Sequence, residues 1–126
     1  MPNLVNGIVQ DGVQQAQAFT QLAWVRQQFR AKFGFEPYPG TLNVCAQDAN
    51  TLTEWRARPG ITIEPATGFC AARCYRVRVN GIVAAAWIIP DVAGYADDLI
   101  ELIAPVSLRE TLALATGDRV TIELME

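Results

Sequence analysis

The stretch that decides the fold runs Gly34-Phe35-Glu36-Pro37-Tyr38-Pro39-Gly40-Thr41-Leu42-Asn43. A glycine typical of helix ends opens it, two prolines fix the backbone, and Gly40 can adopt a positive φ before the chain becomes extended. Because strand side chains alternate, Thr41 and Asn43 are predicted to share one face of a strand. Two neutral oxygen ligands suit Mg²⁺ that a nucleotide's phosphates already carry. The alternative is an ordinary helix-to-strand connection whose side chains bond nearby backbone groups.

Composition restricts the possible functions. The 126 residues are predicted to form a single domain, residues 1–126, long enough to bury a core without disulfides. The net charge is −3, with nine arginines, one lysine and no basic tract, which argues against binding to nucleic acid polymers. The longest apolar run, Ile82 to Ile89, is too short to cross a membrane. Because the N-terminus lacks a signal-peptide pattern, we expect a cytoplasmic protein. We also expect a monomer or a weak homo-oligomer.

The chain contains no histidine, which excludes Ser-His-Asp catalysis, Cys-His catalysis and any zinc site that uses histidine. Its three cysteines are Cys45, Cys70 and Cys74. Their odd number argues against a disulfide framework, and no further thiolate or imidazole exists to complete a zinc site. We therefore expect free thiols that are buried in the core.

Two or three short helices are predicted. The first is amphipathic, because apolar residues recur at spacings of three and four: Leu22, Val25, Phe29 and Phe33. Thr20 is the expected N-cap of this helix, and Gly34 is expected to end it. A second short helix is predicted over residues 50–57. Ser107-Leu108-Arg109-Glu110 matches a capping box, which predicts a third helix that ends near Leu112.

The clearest strand signal is a hairpin. Cys70–Val79 and Ile82–Ile89 flank Asn80-Gly81, a dipeptide that readily supplies the two positive φ values of a type I′ turn, and Pro90 ends the second arm. In the first arm, arginines alternate with apolar residues, which indicates one wet face. The other predicted strands are Val5–Gln10, Gly40–Gln47, Ile61–Ile63, Leu99–Ala104 and Arg119–Met125. This pattern favours a mainly β, compact barrel.

Two long motifs carry a resemblance to a known family. The first is Phe33 followed by the stretch quoted above, and the second is Ile100-Glu101-Leu102-Ile103-Ala104-Pro105-Val106-Ser107-Leu108-Arg109-Glu110. Together with Gly117-Asp118 before the last strand, they resemble the archaeal CTP-dependent riboflavin kinases, in the family's order, from Val5 to Leu124. The resemblance implies a six-stranded cradle-loop barrel. It also implies transfer of the terminal phosphoryl group of CTP to the ribityl 5′-hydroxyl of riboflavin, giving FMN and CDP.

The resemblance also implies the site residues. Thr41 and Asn43 match the family's Mg²⁺ ligands, and Glu101 matches a glutamate that contacts the ribityl chain near the reacting hydroxyl. Two segments match nucleotide-binding residues of the family: Gly12, Val13, Gln14, Gln15 and Ala16, and then Val106, Ser107, Leu108 and Arg109. The cation and the space for a polyphosphate are expected at the mouth of the barrel. Without the resemblance, Glu101 and Arg109 would be interpreted as exposed residues of a strand and a helix.

Two positions depart from the family's pattern. Its phosphate loop has the pattern Gly-Leu-Gly-Glu-Gly, of which residues 12–16 keep only the first glycine, and Ala93 stands where the family places a threonine on the flavin. Three hypotheses therefore remain: a riboflavin kinase, a non-catalytic flavin- or nucleotide-binding barrel that has lost the phosphate loop, or a structural module. The nearby Asp97 and Asp98 are expected to be solvated.

Overall fold

The computed structural model of the chain describes residues 3–12 and 19–125. Ten elements have bounds within these ranges, seven strands and three helices. In chain order they are β1 Leu4–Gln10, α1 Ala23–Phe33, β2 Leu42–Ala46, α2 Ala49–Arg56, β3 Ile61–Ile63, β4 Ala72–Val79, β5 Val83–Pro90, β6 Leu99–Ile103, α3 Leu108–Thr111 and β7 Arg119–Leu124.

Six strands close into an antiparallel barrel. The hydrogen-bonded order is β3-β4-β5-β6-β2-β1-β7, and β7 also pairs with β4, so the sheet returns on itself. β3 lies outside this ring, at the edge of β4. Closure leaves the six ring strands without a free edge. The prediction of a mainly β fold around a six-stranded barrel is confirmed.

Alternate side chains of the six strands fill the barrel. On β2 the inward residues are Leu42, Val44 and Ala46, and on β6 they include Ile100 and Leu102. Leu52 and Trp55 of α2 join this core after β2 ends, while Leu108 of α3 joins it after β6 ends. Because β2 and β6 run antiparallel, the two short helices cover opposite ends of the barrel.

The amphipathic helix α1 packs on the outside of the barrel. Its buried residues Val25 and Phe29 meet Ala86, Ile88 and Ile103, which point outward from β5 and β6. The helix ends as predicted at Gly34, whose φ of 78° is left-handed and whose N–H bonds the carbonyls of the last turn.

The predicted N-cap of this helix is wrong. The helix begins at Ala23 with Leu22 in the capping position, and Thr20 lies in a preceding helical turn. Thr20 is buried, and its hydroxyl accepts a hydrogen bond from the Gly40 backbone N–H at 2.9 Å. Its oxygen thus serves a tertiary contact with the segment before β2 instead of a local cap.

The hairpin turn forms as predicted, with a different register. Asn80 and Gly81 have φ values of 52° and 68°, both positive as a type I′ turn requires. The ladder begins with Val79 opposite Val83, so Ile82 lies in the turn and is 70% exposed. The Asn80 side-chain oxygen accepts a hydrogen bond from the Thr121 N–H at 2.8 Å, which ties the turn to β7.

The cysteines occupy three different environments. All three are free, but only Cys74 is buried, whereas Cys45 is half-buried and Cys70 is exposed. The expectation of three core thiols is therefore wrong for two of them. Burial raises the pKa of Cys74 to about 12, so this thiol stays neutral at physiological pH. The predicted strand begins at Cys70, but β4 begins at Ala72. Cys70 therefore lies before the strand and is not buried by it.

Candidate functional site

The register of the barrel brings the predicted site residues together. Asn43 of β2 lies directly opposite Glu101 of β6 on one side and Gln10 of β1 on the other. Leu42, Val44, Ile100 and Leu102 point into the barrel, so Asn43 and Glu101 point outward. The structure thus places Asn43 and Glu101 on the outer wall of the barrel instead of inside its mouth, and Thr41 directly before the first residue of β2.

The three side chains form one hydrogen-bonded group. The Thr41 hydroxyl lies 2.8 Å from the Asn43 Oδ1 and 3.4 Å from the Glu101 Oε2, close enough to donate to either oxygen. Asn43 is 9% exposed, and Thr41 and Glu101 are half-buried. Sequence periodicity predicted the common face of Thr41 and Asn43. Only the pairing of β2 with β6 brings Glu101 to them.

Two hydrogen bonds donated by backbone N–H groups hold the segment that carries Thr41. The Tyr38 N–H bonds the Ala104 carbonyl at 2.7 Å, which ties the turn to the residue after β6. The Gly40 N–H bonds the Thr20 hydroxyl at 2.9 Å. Thr41 therefore leaves a turn that is anchored on both sides, and its hydroxyl has a defined position.

The donor set fits a hard divalent cation. Mg²⁺ binds oxygen ligands at about 2.05 Å in an octahedron, so neighbouring ligand oxygens lie about 2.9 Å apart. The Thr41 and Asn43 oxygens are separated by 2.8 Å, which matches that spacing. Both are neutral, and so most of the charge that balances the cation would have to come from a bound phosphate.

Tyr95 belongs to this group and was missed from the sequence. Its hydroxyl donates a hydrogen bond to the Glu101 Oε1 at 2.5 Å. Burial raises the pKa of the Tyr95 phenol, and the hydrogen bond to Glu101 and the charge of that carboxylate raise it further. The available signal was a hydroxyl-bearing aromatic residue beside Gly94, six positions before Glu101, between the predicted strand that ends at Pro90 and the one that begins at Leu99.

An open cleft adjoins Thr41 at the end of the barrel that α3 covers. It measures about 160 Å³, and its lining combines the turn before β2 with the segment after β6: Tyr38, Pro39, Gly40, Thr41, Leu42, Leu102, Ala104, Val106, Ser107, Leu108 and Arg109. All four residues predicted to receive the nucleotide, Val106 to Arg109, are therefore on its wall. The Ser107 side chain caps α3 as predicted, accepting a hydrogen bond from the Glu110 N–H at 3.3 Å.

Arg109 links α3 to the end of β1. Its guanidinium donates to the Gln10 carbonyl at 3.4 Å and to the Thr116 hydroxyl at 3.3 Å, and it lies 3.8 Å from the Asp11 carboxylate. The Arg109 side chain is 40% exposed, but these contacts engage its guanidinium, so it is more than a solvated helix residue. The side chain thus ties the wall of the cleft to Gln10 and Asp11, the two residues before Gly12.

Gly12 is the one residue of the predicted phosphate loop inside the described ranges, since Val13, Gln14, Gln15 and Ala16 fall outside them. A Cβ atom on Gly12 would lie 2.4 Å from the Asn43 Nδ2 and 2.9 Å from its Cγ. The absence of a side chain at residue 12 thus leaves the room that Asn43 occupies.

We expect Gly12→Ala to impair the site without unfolding the protein. The added methyl group meets the end of a movable side chain, so Asn43 rotates away and the melting temperature changes by only a few degrees. If the resemblance to riboflavin kinases holds, the Mg²⁺ concentration needed for half-maximal FMN formation should rise about tenfold, measured as turnover against Mg²⁺ concentration. Thermal unfolding of Gly12→Ala and wild type side by side, followed by circular dichroism, is the control for protein stability. An unchanged Mg²⁺ dependence in Gly12→Ala would contradict the prediction.

Among the described residues, neither Asp97 nor Asp98 forms a hydrogen bond with Glu101 or its partners. The Asp98 Oδ2 lies 3.5 Å from the Cys45 Sγ, and its backbone carbonyl accepts from the Ala46 N–H. The Asp97 carbonyl accepts from Arg56 at 2.7 Å. Both side chains are exposed, as expected, and so is Ala93.

Comparison with known families gives one match that spans most of the chain. The family CTP-dep_RFKase, described as a domain of unknown function (DUF120), matches residues 9–124. Within the ranges that the structure describes, no helix has both the length and the apolar character needed to cross a membrane.

Several archaeal proteins are similar to this chain. A riboflavin kinase of Methanocella arvoryzae is 42% identical over 123 residues, which cover 96% of this chain and 56% of that protein. One of Methanosarcina mazei is 40% identical over 126 residues, covering 95% and 56%. One of Methanothermobacter thermautotrophicus is 37% identical over 100 residues, covering 79% and 80%. The chain thus spans just over half the length of the first two relatives.

Proposed function

Because the chain belongs to the CTP-dependent riboflavin kinase family, we propose that it phosphorylates riboflavin. The terminal phosphoryl group of CTP moves to the ribityl 5′-hydroxyl, the bond to the β-phosphate oxygen breaks, and FMN and CDP result. The observation that carries the proposal is the contact of Thr41, Asn43 and Glu101 beside a cleft whose wall includes Val106 to Arg109.

Thr41 and Asn43 would hold Mg²⁺. When bound, the cation neutralises charge on the phosphate oxygens of the nucleotide. The positions of the two oxygens that would hold the cation are set by the anchored turn and by the pairing of β2 with β6. Phosphoryl transfer asks the protein mainly for alignment and charge neutralisation, so a site without histidine suffices.

Glu101 is proposed to act on the riboflavin hydroxyl. Its carboxylate lies 3.4 Å from the Thr41 hydroxyl, which is one of the two oxygens that we propose for the metal. From there it can accept a hydrogen bond from the attacking hydroxyl, orient it, and take its proton as the new P–O bond forms.

The nucleotide is proposed to occupy the cleft. Ser107 already uses its hydroxyl to cap α3, so the wall formed by Val106 to Arg109 would contact the nucleotide mainly through backbone groups and apolar surface. Arg109 would act by holding the start of the loop at residues 12–16. Free nucleoside triphosphates are cytoplasmic substrates, and we propose that compartment for the protein.

A non-catalytic flavin- or nucleotide-binding barrel is the second candidate. Gln14 and Ala16 stand where the family loop has glycines, and their Cβ atoms restrict the approach of backbone N–H groups to phosphate. Ala93 removes a hydroxyl from the flavin side, which costs on the order of 1 kcal/mol of binding. Binding of riboflavin without turnover would favour this candidate.

Incubation with riboflavin, Mg²⁺ and each of the four nucleoside triphosphates in turn tests the proposal directly. Chromatography is expected to show FMN, with the highest yield from CTP. Quenching of flavin fluorescence in the same samples reports binding independently of turnover. Quenching without FMN in any sample would establish a flavin-binding barrel instead. No quenching at all would reject the kinase and the flavin-binding barrel, and equilibrium dialysis with CTP would then test a barrel that binds only the nucleotide.

We expect Glu101→Gln to reduce kcat by about 100-fold, because the amide cannot accept the proton of the riboflavin hydroxyl. The fall should be smallest at high pH, where hydroxide replaces the missing base. Steady-state turnover between about pH 5 and pH 9 measures the fall in kcat. Glu110→Gln, which changes an exposed carboxylate on α3, is the matched control. Full turnover with an unaltered pH profile would remove Glu101 from the mechanism.

A further inference from the structure

We propose that Tyr95 is a positioning residue that holds the Glu101 carboxylate in its working orientation. The inference rests on the proposed kinase function and assigns a role to a residue outside the two sequence motifs. The Tyr95 hydroxyl donates a hydrogen bond to one carboxylate oxygen of Glu101, and the other oxygen is thereby directed toward Thr41 and the riboflavin hydroxyl.

The two oxygens of Glu101 are held from different directions. Tyr95 donates to Oε1 at 2.5 Å, and the Thr41 hydroxyl lies 3.4 Å from Oε2. A carboxylate on a flexible side chain rotates freely when only one oxygen has a partner. Two partners on two oxygens define the plane of the group, and the plane decides where its remaining lone pairs point.

Tyr95 can act as a fixed support because its loop is anchored to the core. Arg56 donates to the Asp97 carbonyl at 2.7 Å, and its guanidinium lies 5.6 Å from the centre of the buried Trp87 ring. The Leu99 N–H closes the loop onto the Ala96 carbonyl at 3.4 Å. The contacts thus lead from the barrel core through α2 to the loop and then to Glu101.

The phenol is also suited to be a permanent donor. A tyrosine whose proton is held tightly remains neutral over the pH range in which kinases work, so its hydroxyl always points a hydrogen at the carboxylate. Its side chain is half-buried, and so water competes little with the Tyr95 hydroxyl for the Glu101 carboxylate.

Tyr95→Phe tests the inference, because it removes the hydroxyl and keeps the ring. We expect kcat for FMN formation to fall about tenfold with the KM for CTP unchanged. In a Glu101→Gln background the same change should alter kcat less than twofold, because the group to be positioned is already disabled. Thr121→Ala is the control. It removes a hydroxyl that donates to the Asn6 Oδ1 on the far side of the barrel from Glu101, so it should keep kcat.

A second measurement does not depend on turnover. The Tyr95 hydroxyl proton should exchange slowly with water and give a downfield proton resonance that Tyr95→Phe abolishes and Glu101→Gln shifts. Absence of this resonance would contradict the hydrogen bond.

The outcomes separate the inference from the function it rests on. If the wild-type protein makes no FMN with any nucleotide, the kinase function fails, and the role of Tyr95 fails with it. If FMN forms and Tyr95→Phe is as fast as wild type, the inference alone fails. A tenfold fall that persists in the Glu101→Gln background would likewise overturn it, because the effect would not pass through Glu101.

Discussion

Replacing Thr41 and Asn43 together by alanine is expected to lower FMN formation by at least about 1,000-fold and to leave the barrel folded. The two oxygens lie 2.8 Å apart on the outer face of β2 and are the only protein ligands that we propose for Mg²⁺. Removal of a single preorganised electrostatic partner costs about 100- to 1,000-fold in other enzymes, and here two are lost at once. FMN yield by chromatography at saturating CTP measures the effect.

The barrel provides its own matched control for this experiment. Thr121 on β7 donates a hydrogen bond to the Asn6 Oδ1 at 3.0 Å, so the same pair of side chains occurs a second time, away from Glu101. Thr121→Ala combined with Asn6→Ala should keep FMN formation within about twofold of wild type. Equal losses in the two double variants, or no loss in the first, would show that Thr41 and Asn43 have no special part in catalysis.

Trp87→Ala is expected to give the largest loss of stability, about 3 to 5 kcal/mol in the free energy of unfolding. Trp87 is fully buried, and its ring centre lies 5.2 Å from that of Tyr75 and 6.1 Å from that of Trp55. Removal of the indole leaves a cavity between β5, β4 and α2 that rigid strands cannot close. Denaturant unfolding followed by circular dichroism should show the change in midpoint.

The control for this prediction uses a feature of the same residue. The Trp87 Nε1 is buried and has no hydrogen-bond partner among the residues that the structure describes. Trp87→Phe removes that unpaired donor and keeps an aromatic ring, so we expect it to cost less than half as much as Trp87→Ala. A loss below about 1 kcal/mol for Trp87→Ala would contradict the cavity argument.

Local signals accounted for most of the elements. The spacing of Leu22, Val25, Phe29 and Phe33 located α1, and Gly34 ended it, because a left-handed residue without a Cβ is a local requirement. The Asn80-Gly81 turn formed for the same reason. The N-cap at Thr20 was wrong because a tertiary partner, the Gly40 N–H, took the oxygen that the local pattern assigned to the helix. The burial of Cys70 was wrong because the length of β4 depends on its partner strands.

The site residues also differ in how far local patterns predicted their arrangement. Thr41 and Asn43 are two residues apart, so alternation alone placed their side chains on one face. Arg109 was underestimated, because its contacts with Gln10 and Asp11 cross almost the whole length of the chain. Tyr95 was missed, because its place beside Gly94 does not specify that its hydroxyl will meet a carboxylate on β6, which depends on the path of the chain before that strand.

The sequence by itself indicated most of the helices and turns and the Thr41–Asn43 pair, since periodicity and turn chemistry are properties of neighbouring residues. The order of its motifs carried the family resemblance, which implied the six-stranded barrel. Only the tertiary structure decided that Glu101 lies opposite Asn43, that Tyr95 holds Glu101, and that the site lies on the outer wall beside an open cleft. The physical reason is strand register. A shift of one residue between β2 and β6 would leave every local pattern intact and turn Glu101 to the opposite face.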